Sequence, residues 1–375
     1  MSQVRRIGVL TGGGDAPGLN AVIRAIVKSC VFRHHIAVLG ISDGYTGLVE
    51  MKYHELGMKD TAGLLVRGGT ILGTSNRGNP FSYAFCRPDG KEELIDASAT
   101  LKRNVEKLGI DCLIAIGGDG TLSCGERLYR ELGIPVVGVP KTIDNDLDAT
   151  ERTFGFATAL EVATNALDRL HTTAESHHRV MLLEVMGREA GWIALHAGVA
   201  GGADVILIKE IPFKMCALMA KFRARERVGR PFSLVVVSEG AAPEGGEQTF
   251  SAEDGLTGWK RLGGVSALVA REIEKAGGYE VRSTILGHIQ RGGTPVPVDR
   301  ILATQFGVEA TRLAATGDFG KMVALRGDRI VAVPLADAIG RLKLVDPDCQ
   351  MVATARAVGV VFGDEDPEQI EHSEG

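Results

Sequence analysis

"RIGVLTGGGDAPGLNAVIRAIVKSC", residues 6–30, joins a short apolar run to a glycine-rich loop and then to a pattern that puts Leu19, Val22, Ile23, Ile26 and Val27 on one helical face. Strand, glycine loop and helix start in that order predict a βαβ unit. The apolar run is continuous rather than alternating, as expected of a strand covered on both faces in a parallel sheet. Runs of the same kind recur in "IAVLGI", "CLIAIGG", "PVVGVP", "VMLLEVMG", "DVILIKE", "SLVVVSEG" and "RSTILGH", alternating with helical patterns. The expected fold class is therefore α/β.

The bulk properties agree with that reading. A chain of 375 residues with 45% hydrophobic content can bury a sizeable core and predicts two domains in a soluble globular protein. A formal net charge of -5 leaves no global basic patch, which argues against nucleic acid as the main partner but leaves local basic clusters for phosphorylated small molecules. Six cysteines, Cys30, Cys86, Cys112, Cys124, Cys216 and Cys349, lack metal-ligand spacing, so free and mostly buried thiols in a reducing compartment are expected. With no signal-peptide pattern and no apolar run of spanning length, a cytoplasmic location away from membranes is expected.

A long helical pattern at 156–176 places a domain boundary near 155. The Gly-, Glu- and Ser-rich stretch at about 240–264 reads as an exposed insertion. The acidic tail at 363–375 is expected to fray.

Three segments at strand ends carry the chemistry. In "TGGGDAPGLN" (11–20) the glycines, Gly13 among them, free backbone N–H groups to point at an anion beside a helix N-terminus. In "IGGDGTL" (116–122) Gly118, Gly120 and Thr121 repeat the device around Asp119. A carboxylate beside a phosphate implies a bridging divalent cation, so Asp119 is the candidate Mg²⁺ ligand. In "VPKTIDNDL" (139–147) Asp144 is placed to act as a base on an acceptor hydroxyl, and Thr142 to hydrogen-bond the phosphoryl group in transfer. Asp146 is placed to fix another hydroxyl and Lys141 to neutralise charge. Taken alone, each segment also reads as a tight or solvated turn. Arg179, Arg188, Arg282 and Arg291 supply forked donors suited to phosphate, although any one of them also reads as a surface ion pair. Glu239 and His288, at further strand ends, complete a sugar-phosphate set.

Together and in this order, "GGGDAPGLN", "GGDGT", "PKTIDND", "MGREAG" and "GHIQRGG" resemble the 6-phosphofructokinase family over about residues 4–320. The resemblance implies two Rossmann-like α/β lobes with mainly parallel sheets and the active site in the cleft. The donor lobe would comprise 1–155 plus about 289–340, and the sugar-phosphate lobe 156–288 plus the C-terminal region. It implies Mg²⁺-dependent phosphoryl transfer to the 1-hydroxyl of fructose 6-phosphate. By motif position Gly13, Arg77, Gly118, Asp119, Gly120 and Thr121 match the donor site, and Asp144, Thr142, Arg188 and Lys141 match catalytic positions. Thr142, Asp144, Asp146, Met186, Gly187, Arg188, Glu239, His288 and Arg291 match sugar-phosphate contacts. Arg179 and Arg282 match residues that family members lend across a subunit interface, which implies a homodimer or homotetramer with shared sites.

The family divides by donor. Members that use ATP typically carry glycine where Gly120 stands, and members that use pyrophosphate typically carry lysine where Lys141 stands. An aspartate at 120 would crowd and repel the α-phosphate of ATP, whereas a lysine at 141 suits either donor. ATP is therefore the expected donor, with pyrophosphate the alternative. Kinases of the NAD or lipid type share only the "GGDG" segment. A non-catalytic sugar-phosphate sensor on the same fold would typically have lost Asp119 or Asp144, and both are present.

Overall fold

The computed structural model describes residues 4–76, 78–87, 90–253 and 260–373. The chain divides into two compact units, one of residues 1–158 and 291–342, the other of residues 159–290 and 343–375.

The first unit is built on strand β1 (Arg6–Thr11), helix α1 (Leu19–Ser29), strand β2 (Cys112–Gly117), helix α2 (Asp119–Leu132) and strand β3 (Val136–Thr142). Its eight-stranded sheet runs Arg329–Pro334, Lys321–Arg326, β3, β2, β1, Ala37–Ile41, Tyr53–Leu56, with Phe154–Gly155 paired to β3 off that path. The inner pairings are parallel and both edge pairings antiparallel. The strand residues Ile7, Val9, Cys112, Ile114, Ile116, Val137 and Val139 pack into one core, and Leu10, Leu113, Ala115 and Val136 into another. Two-faced burial is the reason these runs read as continuously apolar. Helix Pro297–Thr316 lies close on α1. A Cβ at Gly307 would come within 2.7 Å of Ala25 Cβ, so glycine sets how near the two helices approach.

The second unit holds a four-stranded, fully parallel sheet ordered Val205–Leu207, β5 (Ser233–Ser238), β4 (Val180–Val185), β6 (Val281–Ile285). Its core includes Val180, Leu182, Val205, Leu207, Val235, Val237, Phe213 and Phe222. Glu184 is buried inside β4, and its carboxylate accepts hydrogen bonds from Gly264 N–H (3.0 Å), Ser266 N–H (2.9 Å) and Ser266 Oγ (2.6 Å). It thereby satisfies two of the backbone donors at the start of helix α3 (Val265–Gly277).

Two expectations are corrected. The acidic end is not frayed over its described part: Pro367–Ser373 is helical, Ile370 is buried, and Glu371 pairs with Arg223 and Arg227 of helix Met215–Arg227. Acidic composition hid a partner that lies far away in sequence. Of the six free thiols, Cys30, Cys112 and Cys124 are buried while Cys86 and Cys216 are exposed, so burial of the cysteines is only half general. Within the expected insertion, strands Phe250–Glu253 and Lys260–Leu262 pair antiparallel.

Candidate active site

The first glycine loop is held from three directions. Gly12 N–H donates to Ile116 O (2.9 Å) and Gly13 N–H to Ser75 O (3.2 Å), while Thr74 Oγ1 donates to Gly13 O (2.5 Å). Two of the three glycine N–H groups read from the sequence as free for an anion therefore serve the protein: Gly12 extends the pairing of β1 with β2 into the loop, and Gly13 is taken by Ser75. The glycines are needed for close approach. A Cβ at Gly12 would lie 2.5 Å from Thr121 Oγ1, and one at Gly14 would lie 2.5 Å from Arg291 Nη1. Gly13 also sits at φ 75°.

On the neighbouring strand, Gly118 caps α2 and Asp119 is its first residue, so the carboxylate stands at the positive end of the helix. Asp119 Oδ1 accepts Gly340 N–H (2.8 Å), which fixes the carboxylate's orientation. Among the described residues no group of three or more His, Cys, Asp or Glu could hold a metal. A lone oriented carboxylate suits Mg²⁺, which keeps several waters and takes its other ligands from substrate phosphates. Gly120 is exposed and a Cβ there would meet nothing within 4 Å. Thr121 is buried, and its carbonyl accepts the Tyr45 hydroxyl (2.9 Å). Arg77 lies outside the described residues.

The "PKTIDND" segment leaves β3 beside the end of β2, where Pro140 is registered against Gly117. Its side chains alternate: Ile143, Asn145 and Leu147 are buried, whereas Thr142, Asp144 and Asp146 are half-buried. Asn145 makes the turn possible. It adopts the left-handed conformation (φ 53°), which asparagine tolerates better than most residues, and its Oδ1 accepts Thr153 N–H (3.1 Å). Thr153 Oγ1 in turn donates to Thr142 O (2.7 Å). The sequence displayed Asn145 as one more polar residue, and only the backbone conformation shows it to be the pivot that presents Asp144 and Asp146.

Lys141 is 3% exposed, and its ammonium donates to Gly14 O. Burial, reinforced by the neighbouring Arg291 guanidinium, pulls it down from an ordinary 10.5 to about 8, against the opposing pull of Asp15, Asp144 and Asp146. Arg291 Nη1 donates to Asp15 O (3.1 Å). Lys141, Arg291, Asp144 and Asp146 thus form one charge cluster around the first glycine loop. Arg291, expected among the sugar-phosphate contacts, is grouped here with the loop expected to hold the donor.

Of the remaining expected residues, all in the second unit, Met186, Gly187, Arg188, Glu239 and His288 follow the carboxyl ends of β4, β5 and β6. Met186 is buried, Gly187 follows at φ 138°, and Arg188 Nε donates to Glu189 Oε1 (3.2 Å). Glu239 directly follows β5, with its N–H on Val185 O (2.9 Å). Exposed His288 lies on the 3-10 turn Gly287–Arg291. Arg179 and Arg282 sit at the opposite, amino-terminal ends of β4 and β6, and each places Nη2 2.7 Å from the same atom, Glu280 Oε1. The hydrogen bond from Arg179 holds the Glu280 carboxyl below its ordinary range.

The family model described as Phosphofructokinase matches residues 6–314. The chain belongs to the phosphofructokinase family. It is 53% identical over 367 residues to the ATP-dependent 6-phosphofructokinase of Chloroflexus aggregans, covering 97% of this chain and 99% of that one. It is 50% identical over 359 residues to the pyrophosphate–fructose 6-phosphate 1-phosphotransferase of Streptomyces coelicolor, covering 96% and 100%. Among solved structures it resembles phosphofructokinase from Pichia pastoris in the T-state, with a TM-score of 0.75 and 30% identity over the whole of this chain, which spans 38% of the Pichia chain. The pyrophosphate-dependent phosphofructokinase of Marinobacter aquaeolei matches with a TM-score of 0.77 at 20% identity, covering 99% and 91%, a likeness of fold. The mainly parallel α/β architecture is that of the phosphofructokinase family.

Proposed function

We propose that this phosphofructokinase family member transfers the γ-phosphoryl group of ATP to the 1-hydroxyl of fructose 6-phosphate, giving fructose 1,6-bisphosphate, with Mg²⁺ on the donor phosphates. The observation that carries this reading is the pairing of two adjacent parallel strand ends. One opens the helix headed by Asp119, and the other presents Asp144 within the charge cluster of buried Lys141. That arrangement gives phosphoryl transfer its parts: a carboxylate for the metal, a base for the acceptor hydroxyl, and cations for the charge in transit.

In this reading the unit of residues 1–158 and 291–342 binds the donor through Gly13, Arg77, Gly118, Asp119, Gly120 and Thr121. Asp119 would hold Mg²⁺, which supplies charge neutralisation on the phosphates when bound. Asp144 takes the proton of the acceptor hydroxyl, Thr142 donates to the transferring group, and Lys141 and Arg291 hold the loop and stabilise charge. Asp146, Met186, Gly187, Arg188, Glu239 and His288 contact the sugar phosphate. Arg179 and Arg282 serve the active site of a partner subunit in a homo-oligomer. Arg179 Nε, a buried donor with no hydrogen-bond partner among the described residues, is an N–H that a phosphate oxygen would satisfy.

ATP is favoured as donor by the open space at Gly120, where no atom of the described residues would meet an added Cβ within 4 Å. Pyrophosphate is the second reading, favoured by the buried Lys141 ammonium beside the first glycine loop. Purified protein assayed with fructose 6-phosphate, Mg²⁺ and either ATP or pyrophosphate is expected to turn over ATP faster. A Cβ at 120 meets no described atom within 4 Å, so Gly120→Asp should remain folded and lose ATP activity while keeping most activity with pyrophosphate. Faster turnover with pyrophosphate in the wild type overturns the donor assignment, and no turnover with either overturns the function.

A further inference from the structure

The turn expected to receive the acceptor, Met186-Gly187-Arg188, is fixed by two buried side chains outside the set assigned above. Gln290 is fully buried. Its Oε1 accepts Met186 N–H at 2.8 Å, and its Nε2 reaches Ala159 O at 3.4 Å. Ser238 is also fully buried, and its Oγ donates to Gly187 O at 2.7 Å. One residue therefore holds the N–H on the near side of the turn, and the other holds the carbonyl within it.

The turn gives these bonds a purpose. Gly187 sits at φ 138°, a conformation that residues with side chains rarely adopt, and an added Cβ would lie 2.8 Å from Ala190 O and 2.9 Å from Ser238 Oγ. Glycine enters such backbone without steric cost and is equally free to leave it, so bonds on both sides of Gly187 are what hold the turn in one conformation. Both clamps also stand next to residues expected to touch the ligand. Ser238 precedes Glu239, and Gln290 lies between the expected contacts His288 and Arg291. A buried polar side chain costs stability unless it is bonded, and each of these gives a bond to the same turn, Gln290 through its amide oxygen and Ser238 through its hydroxyl.

We propose that Gln290 and Ser238 are positioning residues that set the Met186–Arg188 turn for the acceptor sugar phosphate. This rests on the functional reading above. Gln290 acts through its acceptor oxygen, so replacing it by a group that keeps an acceptor should preserve binding, and replacing it by a hydrocarbon should not.

The test is steady-state kinetics of the full-length Mg²⁺-supplemented enzyme with fructose 6-phosphate and ATP, alongside thermal unfolding. Gln290→Leu should raise KM for fructose 6-phosphate about three- to tenfold, the ratio expected for one lost hydrogen bond, with KM for ATP and kcat within about twofold. Gln290→Glu, whose buried carboxyl when protonated keeps both an acceptor and a donor, should bring KM for fructose 6-phosphate back to within about twofold of wild type. Ser238→Ala should raise that KM by a similar, smaller factor, and it carries the test should Gln290→Leu not fold. An unchanged KM for fructose 6-phosphate in the folded variant tested, equal shifts in both KM values, or Gln290→Glu behaving like Gln290→Leu overturns the positioning role. A wild type that does not phosphorylate fructose 6-phosphate overturns the functional reading instead.

Discussion

The cations of the two units are held in different ways. In the first, Lys141 is buried and bonded to a backbone carbonyl, Arg291 donates to another, and both lie against a glycine loop locked by Thr74, Ser75 and Ile116. In the second, the expected site arginines engage side-chain carboxylates of their own chain: Arg179 and Arg282 share Glu280, Arg282 donating also to Val281 O, and Arg188 bonds Glu189. Backbone carbonyls cannot leave, so the first cluster is already assembled in a single chain. In the proposed reading, carboxylates are anions that an incoming phosphate must displace, so the second set is held in reserve. The lesson is that cations with the same chemical purpose can be pre-organised or latent, depending on whether their resting partner carries a charge.

The largest effect should come from the assembled cluster. Asp144→Asn is expected to lower kcat by at least about a hundredfold while leaving KM for fructose 6-phosphate nearly unchanged, as for loss of a general base. Near-normal turnover would remove Asp144 from the chemistry and, with it, the claim that this cluster is ready to react.

Next comes Lys141→Met, which removes the charge and the bond to Gly14 but keeps much of the volume. Turnover with ATP should fall by at least about tenfold without a switch toward pyrophosphate. The same variant tests the burial directly. Because Lys141 is held at about 8 against an ordinary 10.5, the unfolded chain binds more protons between those pH values. The lysine's destabilising contribution is therefore full below pH 8 and fades as pH rises from about 8 to 10.5, so the wild type should gain Tm relative to Lys141→Met across that window. Parallel Tm curves would mean that the ammonium is not desolvated, and the contrast between assembled and latent cations would collapse.

The smallest effect sharpens the latent side. Glu280→Gln removes the carboxylate that competes for Arg179 and Arg282, so KM for fructose 6-phosphate should fall by about one and a half- to fivefold, the scale of an exposed ion pair. A rise in KM would show that Glu280 orients the two guanidiniums rather than occupying them.

Much of this was legible in the sequence because it is local. Continuous apolar runs mark strands buried on both faces, and glycine-rich or acidic stretches directly after them mark strand ends, since hydrophobicity and turn chemistry are properties of a few consecutive residues. The order of "GGGDAPGLN", "GGDGT" and "PKTIDND" therefore located Asp119, Lys141 and Asp144 without coordinates. What the tertiary structure alone decided is which distant groups meet. It set Lys141 on Gly14 O and grouped Arg291 with the first glycine loop, 276 positions from Asp15. It gave the buried amide of Gln290 to Met186, turned Asn145 into the left-handed pivot of the acidic turn, and folded the acidic end against Arg223 and Arg227. Burial and hydrogen-bond pairing depend on what the whole chain brings alongside a residue, and no window of sequence carries that information.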